Sequence, residues 1–146
     1  MSTHTFLKDC STMPDASNMR FGLVAAEWNS HLTNVLLEQA VSALLATGAK
    51  EEHIIIKRVP GSFELIFGCS ELAKHSSVDA IIAIGSVIRG DTPHFDYICN
   101  GVTNELARQN TMGDIPVIYG LLTTENERQA IERIDGTVGR KGEEFA

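Results

Sequence analysis

Apolar positions in this chain follow two rhythms. Four short segments, Met19 to Ala26, His53 to Val59, Val78 to Ile84 and Pro116 to Leu122, are dense in Val, Ile, Leu and Ala. All four read as strands, and the Val and Ile content of Val78 to Ile84 suits one covered on both faces. Between them apolar residues recur at helical spacing. Leu37, Ala40, Val41, Leu44 and Leu45 mark a helix from Ser30 to Ala46, with Gly48 closing it in the C-cap role. Phe63, Leu65, Ile66, Cys69 and Leu72 mark a second helix from Ser62 to His75, after a Pro60-Gly61 stop. Ile98, Val102 and Leu106 mark a third, ending near Asn110 to Gly113. A fourth is capped by Thr123 or Thr124 and runs to Ile134, where Asp135-Gly136 breaks it. Gly139 to Gly142 reads as a loop and Glu143 to Ala146 as a further helix beginning. Strands and helices alternate with short connections, which predicts a parallel sheet of about four strands with helices on both faces.

The first helix carries one formal charge, Glu38, between Ser30 and Gly48. A helix so poor in charge packs on two sides. One side is the sheet; the other is a second subunit or a neighbouring helix of the same chain. Residues 1–18 are polar and rich in turn formers, and read as an arm, either disordered or with a short extended piece around Phe6-Leu7. The 146 residues predict one domain, over 19–146, with an ordinary 43% apolar and 21% charged content. A net charge of −7 without a basic run argues against nucleic acid and anionic membrane as partners. Cys10, Cys69 and Cys99 are odd in number and widely spaced, so a reducing cytoplasm is the simple reading. No apolar run near the start has signal-peptide length, and none approaches a membrane span.

In an open α/β sheet, ligands bind beyond the carboxyl ends of the strands. The residues expected there are Glu27 to Ser30, Pro60 to Glu64, Gly85 to Tyr97, and Tyr119 to Thr124. The third group, Gly85-Ser-Val-Ile-Arg-Gly-Asp-Thr-Pro-His-Phe-Asp-Tyr97, is a strand-to-helix turn bracketed by two glycines. Thr92 is its expected N-cap, Pro93 the first helical residue, and His94 falls in the first turn over an anion-friendly backbone. Together these segments supply flat rings, a carboxylate, hydroxyls and one histidine, which suits a polar heteroaromatic bearing a polyol or phosphate.

Sharper motifs fail. Gly85-x4-Gly90 is followed by Asp91-Thr92 where a P-loop needs Lys-Ser/Thr, and no dinucleotide fingerprint follows the first strand. The five histidines and three cysteines show no metal-ligand spacing. Ser62 lacks the second glycine of a nucleophile elbow and reads as a helix N-cap. Trp28 is core packing or a stacking platform. Glu64 is a dipole-stabilising residue or a ligand contact. Arg89 is a surface residue or orders its loop by pairing with a carboxylate. Arg133 and Lys141 are solvated charges or anion contacts, and His94 is structural or catalytic.

Arg58-Val-Pro-Gly-Ser-Phe-Glu64, the Gly85 to Tyr97 stretch and Pro116-Val-Ile-Tyr-Gly-Leu-Leu-Thr-Thr124 resemble the 6,7-dimethyl-8-ribityllumazine synthase family, and Gln129 to Arg133 and Lys141-Gly142 extend the match in family order. The fold class expected is therefore three-layer α/β/α with a mainly parallel, flavodoxin-like sheet. The resemblance implies condensation of 5-amino-6-(D-ribitylamino)uracil with 3,4-dihydroxy-2-butanone 4-phosphate, the penultimate step of riboflavin synthesis, without metal or organic cofactor. It implies that Trp28 stacks on the pyrimidine and that Ser62, Phe63 and Glu64 hold the ribityl chain, assisted by Lys141. Ser86, Val87 and Ile88 would bond the heterocycle through backbone groups. Asp91, Thr92 and Arg133 would take the phosphate, and His94 would transfer protons. Tyr119 would come from the adjacent subunit of a homopentamer, or of an assembly of pentamers.

The chain also departs from the family. Trp28 stands where phenylalanine is more usual, which raises retention of riboflavin or related flavins as a hypothesis. Glu27 stands where arginine is common, and Arg140 where asparagine is frequent. Family members continue from Lys-Gly into a long C-terminal helix, whereas four residues follow Gly142 here, so exposed apolar surface is expected where that helix would lie. Two readings of other classes stand beside the enzyme: a non-catalytic flavin- or lumazine-binding assembly protein, and a flavodoxin-like electron carrier.

Overall fold

The computed structural model describes residues 13–146; the extended piece expected around Phe6-Leu7 lies outside them. Four strands, β1 (Phe21–Ala26), β2 (Ile54–Val59), β3 (Ala80–Ile88) and β4 (Val117–Thr124), alternate with α1 (Ser30–Ala46), α2 (Leu65–His75), α3 (His94–Met112), α4 (Glu127–Glu132) and α5 (Lys141–Phe145). The sheet is parallel throughout, in the order β2-β1-β3-β4. This is the flavodoxin-like order, with the strand sequence reversing direction between β1 and β3.

The Val78 to Ile84 run has the predicted meaning, since Ile81 to Ser86 of β3 are all buried, whereas β2, at the sheet edge, leaves Ile56, Lys57 and Arg58 exposed. All six residues of β1 are buried, Leu23 and Ala25 facing one core and Val24 and Ala26 the other. The first core joins α1 to Ala130, Ile134 and Phe145; the second joins α2 and α3 through Leu65, Cys69, Leu72, Val102 and Leu106. Burying a side chain of leucine size is worth about 1.5–3 kcal/mol, so both faces of the sheet hold the layers together. Gly48 closes α1 at φ 94°, a left-handed position that glycine adopts without penalty. Cys69 and Cys99 are free thiols, and burial pushes the Cys69 thiol up to about 12.

The second side of α1 is met by α5 of the same chain. The Gln39 amide donates to the Ile134 carbonyl at 2.6 Å and accepts from the Gly142 N–H at 3.1 Å. Lys141 and Gly142, expected in a loop, belong to this helix.

Five boundaries differ from expectation, each for a physical reason. β3 runs on through Gly85 to Ile88 and β4 through Thr124, because the two keep pairing as far as Ile88 opposite Thr124. Thr123 and Thr124 therefore cannot cap α4. Asn126 does so, accepting from the Gln129 N–H at 3.0 Å. Ser62 does not cap α2, which begins at Leu65. Its hydroxyl points into the sheet, where a Cβ added at Gly85 would lie 2.8 Å from it. Thr92 makes no side-chain cap either: Pro93 is the N-cap of α3, and its carbonyl accepts from Asp96 and Tyr97.

Candidate functional site

A cavity of about 480 Å³ opens beyond the carboxyl ends of β1, β2 and β3, at the point where the strand order reverses. β1 delivers Trp28 and Asn29 to it. The turn after β2 delivers Pro60 to Glu64, and the end of β3 delivers Ser86, Val87 and Ile88. The start of α3 adds Gly90, Thr92, His94, Phe95 and Ile98. Folding thus brings Trp28, Ser62, Phe63, Glu64, Ser86, Val87, Ile88, Thr92 and His94 into one site, although sequence separates Trp28 from His94 by more than sixty positions.

The walls are unequal in character. Trp28 is 74% exposed and Phe63 51%, so their rings stand in the opening with little packed against them. Ser86 is buried, and its hydroxyl has no hydrogen-bond partner. Glu64 and His94 are the titratable side chains of the lining, which contains neither lysine nor arginine.

Arg89 orders the loop instead of facing the cavity, which settles its alternative readings. Its guanidinium grips Asp96 with two bonds of 2.9 and 3.1 Å and donates to Glu125 at 2.8 Å. It also lies 4.2 Å over the Phe95 ring. The Arg89 N–H donates to the Thr124 carbonyl at 2.9 Å, so the loop is tied to the end of β4. The Arg89 hydrogen bonds hold the Asp96 carboxyl below its ordinary range.

Four expected residues do not line this cavity. Asp91 is exposed between Gly90 and Thr92. Tyr119 lies within β4 opposite Ala83, not at the strand end, because the strand begins only two residues earlier. Its hydroxyl bonds Thr103 on α3 at 2.9 Å, and burial raises its phenol above the usual value. Arg133 donates to the Gln129 carbonyl at 2.8 Å, and Lys141 pairs with Glu144 at 2.5 Å.

Asn29, Gly90 and Phe95, which fall in the segments expected at the strand ends but were given no role, also line the site, as does Ile98, expected only on the apolar face of α3. Asn29 carried a legible signal: an asparagine at a strand-to-helix junction, a residue type that tolerates the left-handed conformation. It adopts φ 58° and ψ 43°.

Fold and cavity together define a doubly wound α/β protein that takes a small ligand at its topological switch point. The family model of 6,7-dimethyl-8-ribityllumazine synthase matches residues 18–146, and the chain belongs to that family. It is 54% identical over 138 residues to the 6,7-dimethyl-8-ribityllumazine synthase of Phocaeicola vulgatus, covering 94% of this chain and 82% of that one. It is 56% identical over 128 residues to the enzyme of the same name from Bacteroides fragilis, covering 88% and 90%, and 52% identical over 138 residues to that of Parabacteroides distasonis, covering 94% and 86%. The chain is accordingly a transferase of riboflavin biosynthesis. Among the described residues no helix is long and apolar enough to cross a membrane.

Proposed function

We propose that this chain condenses 5-amino-6-(D-ribitylamino)uracil with 3,4-dihydroxy-2-butanone 4-phosphate to give 6,7-dimethyl-8-ribityllumazine, phosphate and water. The observation that carries this is the meeting of Trp28, Glu64, Thr92 and His94 around one cavity at the switch point.

Trp28 offers its face to the pyrimidine, and the backbone groups of Ser86, Val87 and Ile88 bond the heterocycle edge. Ser62, Phe63 and Glu64 hold the ribityl chain. The phosphate sits at Asp91-Thr92, beside the N-terminus of α3, where backbone N–H groups favour an anion. The amine of the uracil attacks the ketone carbon, and loss of water leaves an imine. His94 carries the protons, since an imidazole can both give and take one near neutral pH. Elimination then breaks the carbon–oxygen bond to phosphate. That leaves an enol, which tautomerises to a ketone, and the ribitylamino nitrogen closes the ring on this new carbonyl with loss of water. Holding two substrates together supplies much of the acceleration.

A phosphorylated substrate calls for a cation, and the cavity lining of one chain has none. Arg133 for the phosphate, Lys141 for the ribityl chain and Tyr119 as an aromatic wall therefore come from a neighbouring copy, in a homopentamer or a multiple of it. Residues 19–146 act as one domain in the cytoplasm. Incubating the protein with both substrates and recording lumazine fluorescence tests the reaction directly. Ligand binding without product formation would overturn it in favour of a non-catalytic binding protein.

A further inference from the structure

We propose that Asn29 is a positioning residue that sets the angle of the Trp28 platform by locking the end of β1 to the end of β3. The inference rests on the reading of Trp28 as the surface that receives the pyrimidine.

Asn29 occupies the N-cap position of α1, yet its side chain makes no cap bond. The N–H groups of Leu32 and Thr33 go to its main-chain carbonyl, at 2.8 and 3.0 Å. Its amide nitrogen instead donates across the switch point to the Ser86 carbonyl at 3.0 Å. Asn126, the same residue type at the same position of α4, has extended backbone and caps its helix in the ordinary way. Asn29 also carries the one positive φ found at a non-glycine residue among those described. Its backbone and its side chain both depart from helix capping, and both departures serve the same contact.

The geometry of the strand ends explains what the contact does. The β1–β3 ladder stops at Ala25 opposite Ile84. Beyond it, Glu27 and Trp28 donate to Val59 and Pro60, so the end of β1 follows β2. The Asn29 amide is the link back to β3. Trp28, mostly exposed, has little packing to fix its ring, so the adjoining backbone sets its direction. Ser86, Val87 and Ile88 bound the same cavity, so the bond holds platform and edge in register.

Trp28 is the chain's only tryptophan, and its fluorescence therefore reads the platform without reference to turnover. Asn29→Gly keeps the left-handed backbone at low cost and removes the amide. The expected result is lower Trp28 anisotropy and greater acrylamide quenching, with KM for the uracil substrate raised about tenfold and kcat changed less than about threefold. Asn29→Asp tolerates the same backbone but sets a carboxylate against a carbonyl, and its loss should be larger. Should the glycine variant fail to fold, the aspartate variant carries the same comparison. Thr33→Val removes the nearby 2.7 Å bond to the Ala26 carbonyl, and should lower the melting temperature without moving anisotropy or KM. Wild-type anisotropy and KM in a folded Asn29→Gly protein would overturn the proposal. If the unaltered protein makes no lumazine, the functional reading fails, while the anisotropy comparison still decides the role of Asn29.

Discussion

Arg89 and Asp96 face each other across the loop that carries Thr92 and His94, joined by two hydrogen bonds of 2.9 and 3.1 Å. Both residues are partly solvated, and an isolated pair of that kind contributes little. This pair is bidentate, shares its guanidinium with Glu125, and stacks on Phe95. Its consequence is local: it fixes the path of the chain from the end of β3 into α3.

The pair should show itself in the pH dependence of stability. The Arg89 hydrogen bonds lower the Asp96 carboxyl below its ordinary 3.8, so the folded form releases that proton more readily than the unfolded chain. Its contribution is complete above the ordinary value and fades as pH falls through the lower folded value. Urea midpoints of the protein and of Asp96→Asn should therefore differ at pH 6 and converge below about pH 4. A constant difference down to pH 2 would contradict the pairing.

His94→Ala should slow turnover by about one to four decades while leaving the circular dichroism spectrum unchanged, since the residue is exposed. Unchanged kcat in the folded variant would remove His94 from the proton-transfer role.

Riboflavin or the lumazine product should quench Trp28 emission on titration, because either ring can stack on an exposed indole at the cavity mouth. Absence of quenching by both would count against Trp28 as a platform. Quenching by the lumazine alone would exclude flavin retention.

Gly142→Ala should destabilise the protein by about 1–3 kcal/mol. A Cβ there would press on the Leu36 carbonyl oxygen and lie 2.6 Å from the Gln39 Cβ, where α5 meets α1. The urea midpoint measures the loss, and a wild-type midpoint would show that this contact is dispensable.

Much of the molecule was determined along the chain itself. The apolar runs specified the strands. The central pair, β1 and β3, is buried on both faces because a parallel sheet between helix layers leaves no position to alternate there, whereas the edge strand β2 exposes Ile56, Lys57 and Arg58. Helical spacing specified which residues of α1, α2 and α3 form the cores. The motif order identified the family, and nine of its expected site residues meet in one cavity. Tertiary structure decided the rest. Strand pairing carried β3 to Ile88 and β4 to Thr124, leaving Tyr119 mid-strand opposite Ala83 and off the cavity lining. Packing turned Ser62 toward Gly85 instead of the helix it was expected to cap. The Arg89 grip on Asp96 and the Asn29 bond to Ser86 were equally beyond local reading. Each depends on distances between segments that are separate in the chain, and only the closed sheet sets those distances.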